Sequence, residues 1–112
     1  MKLPSTARFA DEKLKEAYYK LENGDDSERW LFKVIKQAMD NIEENAFCGD
    51  QMQKKLIPKV YVQKYRIENL WVYDLPKGWR LLYSVAGKEV IVVSIIVEWM
   101  DHKDYERRFG YD

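Results

Sequence analysis

An arginine in the middle of an apolar stretch is the first residue of this sequence that could do chemistry. Arg80 stands between Trp79 and Leu81 in the segment WRLLYSV. A guanidinium on a sheet face is costly unless it meets water, an acid or a phosphate, and its planar fork fits phosphate oxygens. Asp74 and Glu98 are acids that could pair with it. The sequence therefore leaves two interpretations of Arg80 open, a structural ion pair and a phosphate contact.

The segment DHKDY near the end of the chain contains three further side chains of interest, His102, Lys103 and Tyr105. His102 is the single histidine of the sequence, and an imidazole can exchange a proton near neutral pH. A lone histidine is nevertheless more often a surface residue or a partner at a helix end. Lys103 could supply a cation or simply be solvated. Tyr105 could stack on a nucleobase, or it could pack the tail against the sheet.

A third group of candidates lies in the basic segment QMQKKLIPKVYVQKYRI, residues 51–67. It carries five basic residues and no acid, namely Lys54, Lys55, Lys59, Lys64 and Arg66. The whole chain is neutral, with 19 basic and 19 acidic residues. A basic segment can follow a phosphate backbone. The alternative is a solvated face whose lysine stems cover apolar neighbours.

The composition limits the class of protein. A chain of 112 residues suits one domain with one hydrophobic core, and we expect residues 1–112 to form it. No apolar run approaches the roughly 20 residues that span a bilayer, and no signal peptide is expected at the start. The single Cys48 excludes an internal disulfide. We therefore expect a cytoplasmic protein without metal or cofactor.

The first half of the chain has helical periodicity. The first helix is predicted to begin at Ser5 or Thr6 and to end at Gly24, and the second to begin with Asp26 or Ser27 as its N-cap. Their apolar positions form one stripe on each helix, and the short connection predicts that the two helices pack as an antiparallel hairpin.

A loop is predicted after the second helix, followed by a less certain element at Pro58. The segment PKVYVQKY favours a short helix, because proline is tolerated in the first turn. An edge strand is the alternative, since Val60 and Val62 alternate with Tyr61.

From residue 69 onwards the pattern changes to a period of two, which predicts three strands in residues 69–75, 79–85 and 89–99 with turns at 76–78 and 86–88. Strands joined by such short turns must be antiparallel. The third strand is apolar on both faces, which indicates a central position covered on both sides. A helical turn is possible after Asp101.

In the second of these strands, alternate residues fall on opposite faces of the sheet. Trp79, Leu81, Tyr83 and Val85 share one face, and Arg80, Leu82 and Ser84 share the other. The predicted fold class is therefore α+β, with two N-terminal helices packed on one face of an antiparallel sheet and a short C-terminal tail or helix.

The order of elements, together with the segments WRLLYSV, VIVVSIIV and DHKDYERRFGY, resembles the RelE/ParE toxin superfamily. Its members are the toxins of type II toxin–antitoxin modules. They have an arginine in a late strand, then an apolar strand, then a basic or histidine residue shortly before a tyrosine. Arg80 matches the first feature, and His102 or Lys103 followed by Tyr105 matches the last.

The resemblance implies a RelE-like microbial RNase-type fold and a metal-independent endoribonuclease that cleaves mRNA at the ribosome. The RNA 2′-hydroxyl attacks the adjacent phosphate and leaves a 2′,3′-cyclic phosphate and a 5′-hydroxyl. On this basis Arg80 would bind the phosphate, His102 would transfer a proton, and Tyr105 would stack on a base or orient the phosphate.

The resemblance also implies binding residues and partners. Lys59, Lys64, Arg66 and Lys103 are candidates for contacts with RNA. The partners would be mRNA, the ribosome and a cognate antitoxin protein that holds the toxin inactive. The alternative within the same superfamily is a ParE-like protein, which binds DNA gyrase or another protein and carries no nuclease site.

Overall fold

The computed structural model describes residues 2–87 and 92–110, with side chains at all of these positions except 92–95. The elements follow in the order β1 (Thr6–Phe9), α1 (Glu12–Glu22), α2 (Asp26–Glu44), β2 (Asp50–Gln51), α3 (Lys59–Tyr65), β3 (Trp71–Asp74), β4 (Arg80–Gly87), β5 (Val92–Met100) and α4 (His102–Phe109). Short 3₁₀ turns occupy Lys54–Leu56 and Pro76–Gly78. The fold class is α+β, as predicted.

The strands form one sheet in the order β1-β5-β4-β3-β2. The pairs β5–β4, β4–β3 and β3–β2 are antiparallel, but β1 is parallel to β5. The sheet is therefore mixed, and the prediction of an antiparallel sheet is wrong at this edge. Residues at the start of the chain pair with a strand more than eighty positions away, with Thr6 opposite Val93. No local sequence pattern indicates a strand pairing between such distant segments.

The first helix starts later than predicted because the residues assigned to its first turn belong to β1. Ser5 and Thr6 do not cap it. Asp11 is the N-cap, and its Oδ1 accepts a hydrogen bond of 2.7 Å from the backbone N–H of Leu14. A carboxylate at this position satisfies one of the free N–H groups of the first turn.

The second helix also begins one residue away from the prediction. Its N-cap is Asp25, not Asp26 or Ser27, and it forms a capping box with Glu28. The Asp25 carboxylate accepts from the Glu28 N–H at 2.9 Å, and the Glu28 carboxylate accepts from the Asp25 N–H at 3.2 Å. This reciprocal pair satisfies two backbone donors at once, which a neighbouring Asp or Ser without the matching Glu could not do.

The helices α1 and α2 cover the first face of the sheet. The buried residues of this layer are Tyr18, Leu31, Ile35, Ala38, Ile42, Leu75, Leu81, Tyr83 and Ile96. Trp79 and Val85 pack against it, so the predicted alternation along β4 is confirmed. Removal of this much apolar surface from water is the main driving force for the packing of the two helices on the sheet.

The helices α3 and α4 cover part of the second face. The buried residues of this layer are Tyr61, Ile67, Leu70, Val72, Leu82, Val97, Met100 and Tyr105. The short helix at Pro58 is confirmed, and the helical turn predicted after Asp101 is a helix of eight residues.

The last strand lies inside the sheet, because β1 and β4 flank β5, and both of its faces are covered, as predicted. Ile96 lies in the first layer and Val97 in the second. The turn predicted at 86–88 is wrong for Ala86 and Gly87, which belong to β4 and pair with β5. Residues 88–91, which include the start of the predicted third strand, lie outside the described residues. No helix within 2–87 or 92–110 is long and apolar enough to cross a bilayer.

Candidate functional site

An open cleft of about 590 Å³ lies on the second face of the sheet, beside α4 and the sheet edge at β2. Arg80, His102 and Tyr105 all line it. The other lining residues are Asp50, Gln51, Met52, Gln53, Leu56, Val72, Asp74 and Glu106. Three residues that are separated by up to twenty-five positions in sequence therefore meet in one cavity, because β5 returns the chain from the end of β4 to the start of α4.

Arg80 reaches this cleft from the first position of β4, and its side chain is only 20% exposed. Its Nε lies 3.1 Å from Oδ1 of Asp74, the residue opposite it on β3. Its Nη1 donates a hydrogen bond of 2.9 Å to the carbonyl oxygen of Gly78. Asp74 was one of the two acids predicted from the sequence as a partner of Arg80. The other, Glu98, pairs with Arg108.

Arg80 still has donors to offer a ligand. Among the described residues, no hydrogen-bond acceptor contacts its Nη2 atom. The Asp74 carboxylate is 65% exposed, and an ion pair with such a solvated partner contributes little, at most about 1 kcal/mol. A bidentate phosphate could therefore take the place of Asp74 at modest cost.

His102 is the first residue of α4 and lies at the mouth of the cleft. Its Nε2 lies 2.5 Å from Oε1 of Glu106, one helical turn further on. Both side chains are about half exposed, so they are accessible from solvent. A carboxylate at this distance accepts a hydrogen bond from the Nε2–H of the ring and holds the imidazole in one orientation, and an imidazole held in this way can exchange a proton with a ligand through its other nitrogen.

The backbone around His102 determines where its ring lies. The Asp101 carboxylate caps α4 by accepting from the N–H of Asp104 at 2.9 Å, and this cap makes His102 the first helical residue. The turn before β4 packs against the same position. Gly78 has a positive φ of 81°, and a Cβ placed there would lie only 3.1 Å from the Cβ of His102. A side chain at position 78 would therefore displace the histidine.

Tyr105 contributes to the cleft mainly by packing. It is 6% exposed and belongs to the buried layer of the second face. Its ring centroid lies 4.7 Å from that of Phe109, and the guanidinium carbon of Arg80 lies 5.3 Å above its ring. A ring so deeply buried has little face on which a nucleobase could stack. The geometry favours the packing interpretation, with Tyr105 positioning Arg80 through a cation–π contact.

A hydrogen-bonded network holds α4 and α3 to β5. The Tyr61 hydroxyl donates to Oε2 of Glu98 at 2.6 Å and accepts from Nη1 of Arg108 at 2.8 Å. Two causes raise the pKa of Tyr61 well above its ordinary value: burial, which is the larger, and the hydrogen bond to Glu98. The phenol therefore stays protonated and keeps donating to Glu98 at neutral pH.

The predicted RNA-binding cations do not join the cleft. Lys59, Lys64, Arg66 and Lys103 are exposed, and none of them lines it. Lys59 and Lys64 lie on α3, where the Lys64 ammonium sits 5.1 Å from the ring of Tyr65. Arg66 ends this helix in the left-handed conformation, with φ of 54°. These residues belong to a surface beside the cleft rather than to the cleft itself.

Several lining residues escaped the sequence analysis. Glu106 had a usable signal, since it follows His102 by four positions, which places both on one side of a helix. No sequence pattern placed Asp50, Gln51 or Gln53 in the cleft. They lie in the segment predicted as a loop, and the pairing of β2 with β3 brings this segment to the cleft. With Asp74, the cleft contains three carboxylates beside one arginine and one histidine.

Within the described residues, no three His, Cys, Asp or Glu side chains are grouped so that they could hold a metal ion. No protein-family model, curated protein or solved structure matches the chain. The case for a function therefore depends on the geometry of the cleft and on the motifs that led to it.

Proposed function

We propose that this chain is a RelE-like toxin of a type II toxin–antitoxin system, a metal-independent endoribonuclease that cleaves mRNA at the ribosome in the cytoplasm. The observation that supports it is the convergence of Arg80, His102 and Tyr105 in one cleft. These are the residues that the resemblance to the RelE/ParE superfamily singles out, and they come from two distant elements of the chain.

The cleft offers groups for the steps of such a cleavage. His102 takes the proton of the attacking 2′-hydroxyl, and Glu106 holds the imidazole in position from 2.5 Å away. The 2′-oxygen forms a bond to phosphorus while the bond from phosphorus to the 5′-oxygen breaks. The guanidinium of Arg80 stabilises the charge that grows on the phosphate oxygens. Water, which reaches this open cleft, protonates the leaving 5′-oxygen, and the hydroxide so formed takes the proton from the His102 imidazolium.

The test is a cell-free translation reaction with a defined mRNA, in which cleavage is mapped by primer extension. Wild type, Arg80→Ala and His102→Ala are compared. Loss of a preorganised donor to the transition state costs about 10²–10³ in rate, so cleavage should fall by that factor in Arg80→Ala. Arg80→Lys should recover little of it, since lysine keeps the charge but lacks the planar fork.

The matched control is Arg107→Ala. This arginine lies on α4 and is mostly exposed, and within residues 2–87 and 92–110 its ion-pair partner is Asp104, on the surface. Its loss should leave both cleavage and thermal stability unchanged within error. An intact message with folded wild-type protein and active ribosomes would rule out the nuclease proposal under those conditions, as would a loss of cleavage in Arg107→Ala equal to that in Arg80→Ala.

The second candidate is a ParE-like protein that binds gyrase or another protein without cleaving RNA. The excess of carboxylates in the cleft favours it, because Asp50, Asp74 and Glu106 would repel an RNA backbone. A supercoiling assay with purified gyrase separates the two candidates. Inhibition of supercoiling with an intact message supports the ParE-like function, whereas cleavage with normal supercoiling supports the nuclease.

A further inference from the structure

The turn between β3 and β4 contacts two candidate residues that come from different elements of the chain. Nη1 of Arg80 donates hydrogen bonds to the carbonyl oxygens of Gly78, at 2.9 Å, and of Trp79, at 3.2 Å. The Cα of Gly78 faces His102, since a Cβ built on it would lie 3.1 Å from Cβ and 3.8 Å from Cγ of the histidine. Gly78 therefore holds the Arg80 guanidinium with its carbonyl group and lies against His102 with its Cα.

The backbone of this turn has a conformation that few residues adopt. Lys77 and Gly78 both have a positive φ, of 60° and 81°. Two consecutive residues of this kind are typical of the tight turns that join antiparallel strands. The N–H of Leu75 closes the turn by donating to the carbonyl oxygen of Trp79 at 2.9 Å. The path of the chain at Gly78 is therefore fixed from both sides.

A contact with the first face of the sheet anchors the turn. The Lys77 ammonium lies 4.8 Å from the ring centroid of Trp30, a residue of α2 that packs against the buried first layer. This cation–π contact stabilises the left-handed conformation of Lys77, which lysine rarely adopts. Because α2 holds the turn on one side, a side chain added at Gly78 would displace His102 rather than the turn.

We propose that Gly78 is a positioning residue of the site, which fixes the guanidinium of Arg80 and the imidazole of His102 relative to each other. Two separate requirements select glycine here. The left-handed conformation favours glycine and, less strongly, asparagine, and any Cβ at this position would require His102 to move by a few tenths of an ångström. The effect on cleavage rests on the proposed nuclease, whereas the placement of His102 does not.

The glycine at the end of α4 provides a matched control. Gly110 also has a positive φ, of 72°, but no atom of the described residues lies within 4 Å of a Cβ built there. Gly78→Ala and Gly110→Ala therefore introduce the same kind of backbone strain, and only the first adds a contact with His102. Gly78→Asn is the second variant at the site, because asparagine tolerates the left-handed conformation better than alanine and still carries a Cβ.

The first measurement tests the placement of His102 without any RNA. Diethyl pyrocarbonate acylates a neutral imidazole, and peptide mass spectrometry follows this reaction at the single histidine of the chain. In the wild type the ring is restrained, because its Nε2 lies 2.5 Å from Oε1 of Glu106, and Glu106→Ala supplies the rate of an unrestrained ring. We expect His102 to react faster in Gly78→Ala and Gly78→Asn, at rates approaching that of Glu106→Ala. In Gly110→Ala it should react at the wild-type rate.

The second measurement is the rate of cleavage in the translation reaction, with protein in excess over mRNA-programmed ribosomes. A misplacement of ~1 Å can cost a factor of about 10² in rate, so the smaller displacement in Gly78→Ala and Gly78→Asn should lower the maximal rate about tenfold. The protein concentration that gives half of the maximal rate should stay as in the wild type, because both variants keep the carbonyl group that holds Arg80. Gly110→Ala should cleave like the wild type, although thermal denaturation should show a similar loss of stability in the two alanine variants.

Two results would overturn the inference. One is a wild-type reactivity of His102 in both Gly78 variants, and the other is an increase in Gly110→Ala as large as that in Gly78→Ala, since backbone strain alone would then explain it. If the wild type leaves the message intact but the reactivity of His102 rises only in the Gly78 variants, the nuclease proposal fails and the positioning of His102 by Gly78 stands. If the wild type cleaves and the Gly78 variants match Gly110→Ala in both measurements, the nuclease proposal stands and the positioning role fails.

Discussion

The helices α1 and α2 cover one face of the sheet with a continuous apolar layer, whereas α3 and α4 cover the other with an apolar patch, a charged network and an open cleft. On the first face, Ile35 and Ile42 are completely buried. On the second, Tyr61 is held by two partially exposed charged residues, Glu98 and Arg108. Both faces bury a layer of apolar side chains, and the second combines that packing with accessible chemistry. The predictions below test this division of roles.

The largest effect should be alkaline unfolding, because it acts on both faces. Burial raises the pKa of Tyr18 to about 12 and raises those of Tyr83 and Tyr61 further above the ordinary value. In the unfolded chain these phenols ionise near pH ~10. The stability they contribute is present below that pH and is lost as the pH rises towards their folded-state pKa values.

Each such tyrosine should lower the free energy of unfolding by about 1.4 kcal/mol per pH unit in this window, or about 4 kcal/mol for the three together. Urea denaturation between pH 9 and about 11 measures it. Tyr18→Phe provides the matched variant, since it should remove one tyrosine's share of the slope. A slope that is flat above pH ~10 would contradict the burial of these phenols.

A cavity in the first layer should have the next largest effect. Ile35→Ala removes a completely buried side chain of α2, and such truncations cost about 2–5 kcal/mol. Urea denaturation checks this value. Val34→Ala, one position away and only partly buried, should cost clearly less. If the two variants lose the same stability, the first face is not packed as described.

Removal of the Tyr83 hydroxyl, on the first face, should cost more stability than removal of the Tyr61 hydroxyl, on the second. Tyr83→Phe leaves the Ala46 carbonyl and the Gly49 N–H without the hydroxyl that bonds both, at a cost of about 1–3 kcal/mol. Tyr61→Phe should cost about 1 kcal/mol or less, because Glu98 and Arg108 can reach water and each other. Equal losses in thermal denaturation would argue against the different burial of the two networks.

The smallest loss of stability is expected at two aspartate N-caps, Asp11 of α1 and Asp101 of α4. Asp11 and Asp101 each accept a hydrogen bond from the backbone N–H three residues later. Replacement of either by Ala should cost about 1 kcal/mol. Only Asp101→Ala should also weaken cleavage, because α4 carries His102 into the cleft. Equal activity in the two variants, measured by primer extension, would show that the start of α4 does not position the site.

The features of the fold that follow a strong local pattern were predictable from the sequence. The alternation along β4 placed Arg80 and Leu81 on opposite faces, and Pro58, which is the N-cap of α3, favoured the short helix that follows it. Asp74, one of the two acids expected as a partner of Arg80, lies opposite it across the tight turn between β3 and β4 and forms the ion pair. Each of these depends on residues close together in the chain.

The site was harder to predict because it depends on distant residues. Lys59, Lys64 and Arg66 were named as candidates for contacts with RNA, and they lie exposed on a surface beside the cleft. Glu106 was missed although its spacing from His102 was visible, and Asp50 was missed because β2 has only two residues. The functional roles of Arg80, His102 and Tyr105 remain predictions for the cleavage assay to decide.

The sequence by itself determined the α+β class and the face of the sheet on which residues 79–85 lie, and it favoured the short helix around Tyr61, because apolar periodicity and local hydrogen bonds act over a few residues. Only the tertiary structure decided that Thr6–Phe9 is a strand, that β5 is flanked by a parallel neighbour, and that Arg80 meets His102 in a cleft. These features arise from pairing and packing between segments far apart in the chain, and no local pattern encodes such contacts.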